Sequence, residues 1–350
     1  MKGSRSTALL VAVIAGAMAP AVARADAPAG EATASASASP SARFKGSILI
    51  LDQSTTPDTV FQGSQQSAIP SYEWWFSFRP RLALPHNFQF RGRLDLTLEW
   101  LNAADTTHAR EPRWGDLWTD VVYTGIPKVW GVQSTVGVRA LWPLSLESRM
   151  ATNIVTLGLT AGAKREFETK IGDFELTLGL AGSHAFQSST SGAVIDSSYG
   201  CVSADFAPQL CSQNTGRMNS AFNLVASFGG KYAPTKKLSL GASYIVLDNW
   251  AYATPDVTLM DRIGGKTVVE HSVEDQRLRT SGWFIASVDY DLKDWVSLSL
   301  GYYVYRGLLN PDGSFGNPFY APGGATRIFL STTLALDSLY DAIALKVKKN

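Results

Sequence analysis

Two cysteines and four histidines in 350 residues leave little material for a disulfide scaffold, a zinc cluster or a histidine-based catalytic centre. Charge of one sign is also missing. The 31 Lys and Arg balance 30 Asp and Glu, which gives a nucleic-acid partner no electrostatic support. Hydrophobic residues make up 45% of the chain, yet no block beyond the first residues is long enough for a membrane helix. A helical period of 3.6 is nowhere sustained.

What is present instead is alternation. Residues 88–100 read FQFRGRLDLTLEW, with Phe88, Phe90, Gly92, Leu94, Leu96, Leu98 and Trp100 on one face. Gln89, Arg91, Arg93, Asp95, Thr97 and Glu99 take the other, the mark of an extended strand with one apolar and one charged face. Thirteen such residues reach about 43 Å at about 3.3 Å each, far more than the usual strand. With a tilt of about 40° the height is about 33 Å, slightly more than a bilayer core. The pattern recurs in WGVQSTVGVRALW (130–142), FELTLGLAGSHAF (174–186), and residues 278–290, 296–304 and 327–336.

The chain opens with Lys2 and Arg5, then ALLVAVIAGAMAP at 8–20, then Ala23-Arg24-Ala25, the layout of a secretory signal over residues 1–25. Residues 26–43 are small, polar and of low complexity, which predicts a disordered periplasmic linker. Cys201 and Cys211, in an exported chain, are expected to form a disulfide across a short loop.

Three features separate the strands from those of a soluble sandwich. They are too long, and their polar face mixes charges with Ser, Thr, Gly and Ala, as a crowded wet interior would. Tryptophans also gather at strand ends: Trp130 and Trp295 near starts, Trp100, Trp142 and Trp250 near finishes, matching an interfacial aromatic girdle. Connections alternate between short (LALPHN, GIPKV, EFETKIGD, APTKK, LKD) and long, with the loop at about 187–217 the longest. The expected strands are 44–52, 69–81, 88–101, 117–124, 130–142, 150–165, 173–186, 218–232, 238–249, 277–291, 295–308 and 325–337, an even set of about twelve.

In these respects the chain resembles the Gram-negative outer-membrane β-barrels over about 290 residues, by architecture rather than by a signature motif. The resemblance implies an all-β fold, a transmembrane antiparallel up-and-down barrel over 44–337. Outer-membrane lipid would surround it, short turns would face the periplasm, and the barrel assembly machinery would be a partner. One departure stands out: the closing strand GATRIFLSTTLAL is followed by DSLYDAIALKVKKN, where many such barrels stop on a terminal aromatic residue. Residues 338–350 are expected to be a periplasmic tail, a short helix in preference to an extra strand.

No catalytic group, metal or cofactor is called for. His184 falls on the lipid face near the outer end of its strand, where a lipid-cleaving base could stand. But HSVED at 271–275 does not match the His-x-Ser-Asn-Gly pattern of outer-membrane phospholipases and no companion motif appears, so an outer-membrane lipid hydrolase is the least favoured reading. Parity turns Arg79, Arg81, Arg91, Arg93, Arg139, Lys231, Arg277, Arg279 and Arg327 inward, against Glu73, Asp95, Glu99, Asp120, Glu175 and Asp289. Nine bases against six acids can be a salt-bridged plug, the lumen of a structural or surface-interaction barrel, or a polar pathway for small hydrophilic solutes with a mild anion preference. The number of small inward residues favours the pathway. Topology follows from the loop lengths: epitope tags near residues 200 and 262 should be reachable on intact cells, and tags near 168 and 234 should not.

Overall fold

A computed structural model describes residues 44–57, 72–100, 110–202, 208–253, 257–260, 267–270, 277–310, 313–321 and 325–347. Residues 1–43, where the signal segment and linker are expected, lie outside it. The strands in chain order are β1 (Ile48–Thr55), β2 (Tyr72–Arg79), β3 (Arg81–Ala83), β4 (Phe88–Glu99), β5 (Pro112–Trp114), β6 (Leu117–Tyr123), β7 (Val132–Trp142), β8 (Asn153–Thr169), β9 (Gly172–Gln187), β10 (Ser191–Val202), β11 (Pro208–Met218), β12 (Ser220–Ala233), β13 (Leu238–Ala251), β14 (Val257–Met260), β15 (Thr267–Glu270), β16 (Leu278–Lys293), β17 (Val296–Gly307) and β18 (Thr326–Ala335). Two helices complete the set, α1 (Leu146–Met150) and α2 (Leu336–Val347).

Twelve staves close one antiparallel barrel in the order β1, β2, β4, β6, β7, β8, β9, β12, β13, β16, β17, β18, with β18 pairing back to β1. Every long neighbour in sequence is a neighbour in space, the up-and-down topology. β3 continues β2, and β5 is a short strip on β4. The β10–β11 and β14–β15 hairpins stand apart from the barrel sheet.

The join between β2 and β3 shows how local chemistry keeps the register. Pro80 has no N–H to give, but its carbonyl still accepts from the Gly92 amide at 2.8 Å. Phe78 faces Leu94 before it and Arg81 faces Arg91 after it, so no residue is gained or lost. A Cβ on Gly92 would stand 3.0 Å from the Pro80 ring, so the glycine makes room for the proline across the ladder.

Alternation sorts the side chains. Leu159 (69% exposed), Leu178, Phe228, Leu240, Val288, Leu300 and Leu330 stand outward and open. A soluble protein does not present so continuous an apolar surface around its whole girth. Among the described residues no helix is long and apolar enough to cross a membrane.

Several expected boundaries shift. The first strand starts at Ile48 rather than 44 and runs to Thr55, past the polar Gln53-Ser54 that hides its end in the sequence. The expected strand 150–165 loses its start to α1, whose N-cap Ser145 accepts from the Ser148 amide at 3.1 Å. It then continues to Thr169. The tail is helical, as the favoured reading had it, but the helix begins at Leu336, two residues before the expected start. Cys201 and Cys211 lie on β10 and β11, and their side chains are outside the described residues.

Leu96 and Thr97 test the facing directly. Leu96 pairs with the outward Phe76, while Thr97 pairs with the inward Trp75. Leu96→Arg should destabilise by about 2–4 kcal/mol in reversible unfolding from lipid, and Thr97→Arg by much less. Equal losses would refute the assignment.

Candidate functional site

The inner wall divides into three sectors. The first runs over β2, β4, β6 and β7 and is built from arginines and indoles. Arg79 and Arg93 lie 5.5 and 5.4 Å from the Trp75 ring, on strands that face each other. Arg93 also lies 5.3 Å from Trp118, and Arg139 covers that second ring at 4.6 Å. The result is a ladder, Arg79–Trp75–Arg93–Trp118–Arg139. Each desolvated cation–π step contributes up to about 2 kcal/mol.

Acids and hydroxyls hold the ladder from its side. Arg93 Nε donates to Asp95 at 2.8 Å, the Ser77 hydroxyl donates to the same carboxylate at 2.6 Å, and Arg79 Nε donates to that hydroxyl at 3.0 Å. Arg139 takes Asp120 in a two-pronged pair, both arms at 2.7 Å. Toward the long loops Arg327 pairs with Glu73, whose carboxylate also accepts from Ser54 at 3.1 Å. Glu99 accepts from the Tyr72 amide at 3.2 Å. Arg91 Nε donates to Gln89 at 2.6 Å, and the Arg81 side chain lies beneath Gly46.

The second sector lies across the barrel on β13, β16, β17 and β18. Ile245, Trp283, Ile285, Tyr303 and Phe329 form a buried apolar cluster on the inner face, with Trp283 only 1% exposed. The reading of the sequence equated inward with polar and missed it. The signal was available in the odd positions of 278–290, where Trp283 and Ile285 share a face with Arg279 and Asp289.

The third sector, on β8, β9, β12 and β13, is lined by small side chains. Gly162, Gly179, Ala181, Ser183, Ser227 and Ser243 point inward and each keeps part of its surface open, whereas Arg79, Arg93, Asp95 and Asp120 of the charged sector are buried. At its short-turn end Lys164 bridges Glu166 and Glu175, 3.0 Å from each. Asp289 stands opposite Ser239 on the adjacent stave.

Four inward charges escaped the parity reading. Lys164 joins the inward bases, and Asp52, Glu166 and Asp291 join the inward acids. With Glu168 and Asp173 at the same parity, the excess of three positive charges does not survive.

Two side chains tie down the long-loop mouth. Asp116 accepts from the Ser145 amide at 2.9 Å and from the Ser148 hydroxyl, fixing the start of α1. Asn219 donates to the carbonyls of Ala151 at 2.8 Å and Ser189 at 3.0 Å, fixing its end.

The tryptophans stand at the strand ends. Trp130 is 88% exposed beside the start of β7, Trp142 closes that strand with its indole N–H on Thr119 at 3.0 Å, and Trp100 packs on Trp74 with ring centres 5.1 Å apart. Trp250 packs on Phe222, and Lys293 lies 5.4 Å from Trp295. His184 faces outward, edge-on to Phe186. Among the described residues no group of three or more His, Cys, Asp or Glu could hold a metal.

No protein-family model and no curated protein matches the chain. Solved structures do. An outer-membrane channel from Pseudomonas putida F1 is 12% identical, covering 82% of this chain and 94% of that one with a TM-score of 0.45. The NanC porin is 7% identical over 82% and 98%, with a TM-score of 0.39. OmpT, an outer-membrane protein of Vibrio cholerae, is 7% identical over 82% and 95%, with a TM-score of 0.35. At such identity the likeness is one of fold.

The ladder yields a stability test. Arg93→Met leaves the buried Asp95 without its guanidinium and should cost about 3–5 kcal/mol. Adding Asp95→Ala should recover part of that loss, a coupling read from a double-mutant cycle. Simple additivity would mean that the pair is not a unit.

Proposed function

We propose that this protein, a Gram-negative outer-membrane β-barrel, is a channel for small hydrophilic solutes. The observation that carries the reading is the third sector of the lumen. Six of its inward residues, Gly162, Gly179, Ala181, Ser183, Ser227 and Ser243, are small and partly open, and they stand together on four adjacent staves. A barrel filled only for stability would place large side chains there, as smaller barrels do. Twelve strands give a circumference between those filled barrels and the open porins.

The charged sector sets the preference of the path rather than blocking it. Its arginines are matched by acids, so selectivity between anions and cations is weak, and any anion preference comes from local clusters such as Arg91 rather than from net charge. The ladder itself favours a second reading, a closed structural barrel in which these pairs brace the wall. The two readings separate in a conductance measurement. No step of the proposal requires a cofactor, a metal or a catalytic group.

In planar bilayers the protein should show discrete conductance, and Ala181→Trp should lower it by placing a large ring in the narrow open strip. Arg91→Glu should move the reversal potential in a salt gradient toward cations, and less so at about 1 M salt, where the Debye length is about 3 Å. A silent wild-type protein would favour the closed barrel. Conductance indifferent to Ala181→Trp would put the path elsewhere.

A further inference from the structure

The connection between β17 and β18 does not rise away from the barrel. It folds back down the outside. Phe284 faces outward on β16, where it packs on the outward Tyr302, and Phe319 of the connection meets its ring edge-on at 4.9 Å. Val304 faces the same way on β17 and should be open to lipid, yet it is 0% exposed. Leu308 lies over Gly282, and the Ala321 amide donates to the Thr326 hydroxyl at 3.0 Å.

Polar ties hold the fold-back at its root. Arg306 donates to the Asn310 side chain and to the Gly307 carbonyl at 3.1 Å. Its guanidinium runs so close to Gly316 that any side chain there would displace it. The Asn310 amide donates to the Ser314 carbonyl at 2.8 Å, and Leu309 bridges Phe315.

The outer surface of this flap is apolar. Phe315 is 82% exposed, and Leu309, Phe319 and Tyr320 are all more than half exposed. A loop held in water would bury such residues or turn them toward the wall. This surface continues the lipid-facing band formed by Leu300, Tyr302 and Leu330 on the same two staves. Phe284, the floor on which the flap rests, lies six residues below the long-loop end of β16 and nine above its short-turn end. The flap thus sits at the height where the outward half of the apolar band begins.

We propose that residues 308–310 and 313–321 form an interfacial flap whose aromatic outer surface is immersed in the acyl region of the outer leaflet. Its partner is the surrounding lipid. Arg306 and Gly316 set its angle, and Phe319 pins it to the wall.

The test is the local environment of a nitroxide on Phe315→Cys in the full-length protein in lipid vesicles, with Tyr320→Cys as a second site. Labelled wild type supplies the background from Cys201 and Cys211, and heat-modifiable gel mobility reports that each variant is folded. The ratio of collision with oxygen to collision with a water-soluble nickel chelate should match that of the lipid-facing Leu300→Cys at both sites. It should exceed that of Lys236→Cys in a short turn. A ratio at the Lys236 level would overturn the proposal by placing the flap in water. Low collision with both reagents, together with spin–spin broadening, would overturn it by placing a second copy of the chain over the flap.

Discussion

A strand in hydrocarbon carries an N–H and a C=O at every residue, and each one left unpaired there costs several kcal/mol. Most of this structure answers to that constraint. A flat sheet would leave two open edges, so β18 returns to β1 and the ladder closes. Once the sheet is closed, alternation has only two destinations, lipid and lumen. The charges that would be ruinous on one face become tolerable on the other. Even Pro80, which removes a donor, is held in register by the Gly92 amide and by the space that glycine leaves.

Closure also determines how charge must be managed inside. Arginines on facing staves stand close together, and like charges at this range repel unless they are matched. The indoles of Trp75 and Trp118 separate them, while Asp95, Asp120 and Glu73 neutralise them. This sector is a brace. The apolar cluster around Trp283 fills the opposite side. Between them the glycines, serines and alanines of β8, β9, β12 and β13 leave a strip of small, partly open side chains, along which the proposed path runs.

The fold was legible because period two survives in single sequences. Phe88–Trp100 and its counterparts announce themselves without any knowledge of partners, and the loop-length asymmetry supplies the even count. Pairings were not legible, because they depend on register across distant segments. Arg327 meets Glu73 across 254 positions, and nothing local to either residue says so. Two rules of reading also misled. Equating inward with polar hid Trp283, Ile285 and Phe329. Treating long gaps as plain loops hid α1, the β10–β11 and β14–β15 hairpins and the fold-back after β17. Short elements such as α1 depend on tertiary ties, here Asp116 and Asn219, that composition does not display.

The proposed channel requires water to line the lumen along the small-residue sector while lipid covers its back. Ala181 and Leu180 are adjacent on β9 and face opposite ways. The most direct measurement is the reaction of a small, charged, membrane-impermeant thiol reagent with Ala181→Cys and with Leu180→Cys in folded protein in vesicles, scored against wild type. Reaction at Ala181→Cys and protection at Leu180→Cys is the predicted result. Protection at both sites, or reaction at Leu180→Cys alone, would contradict it.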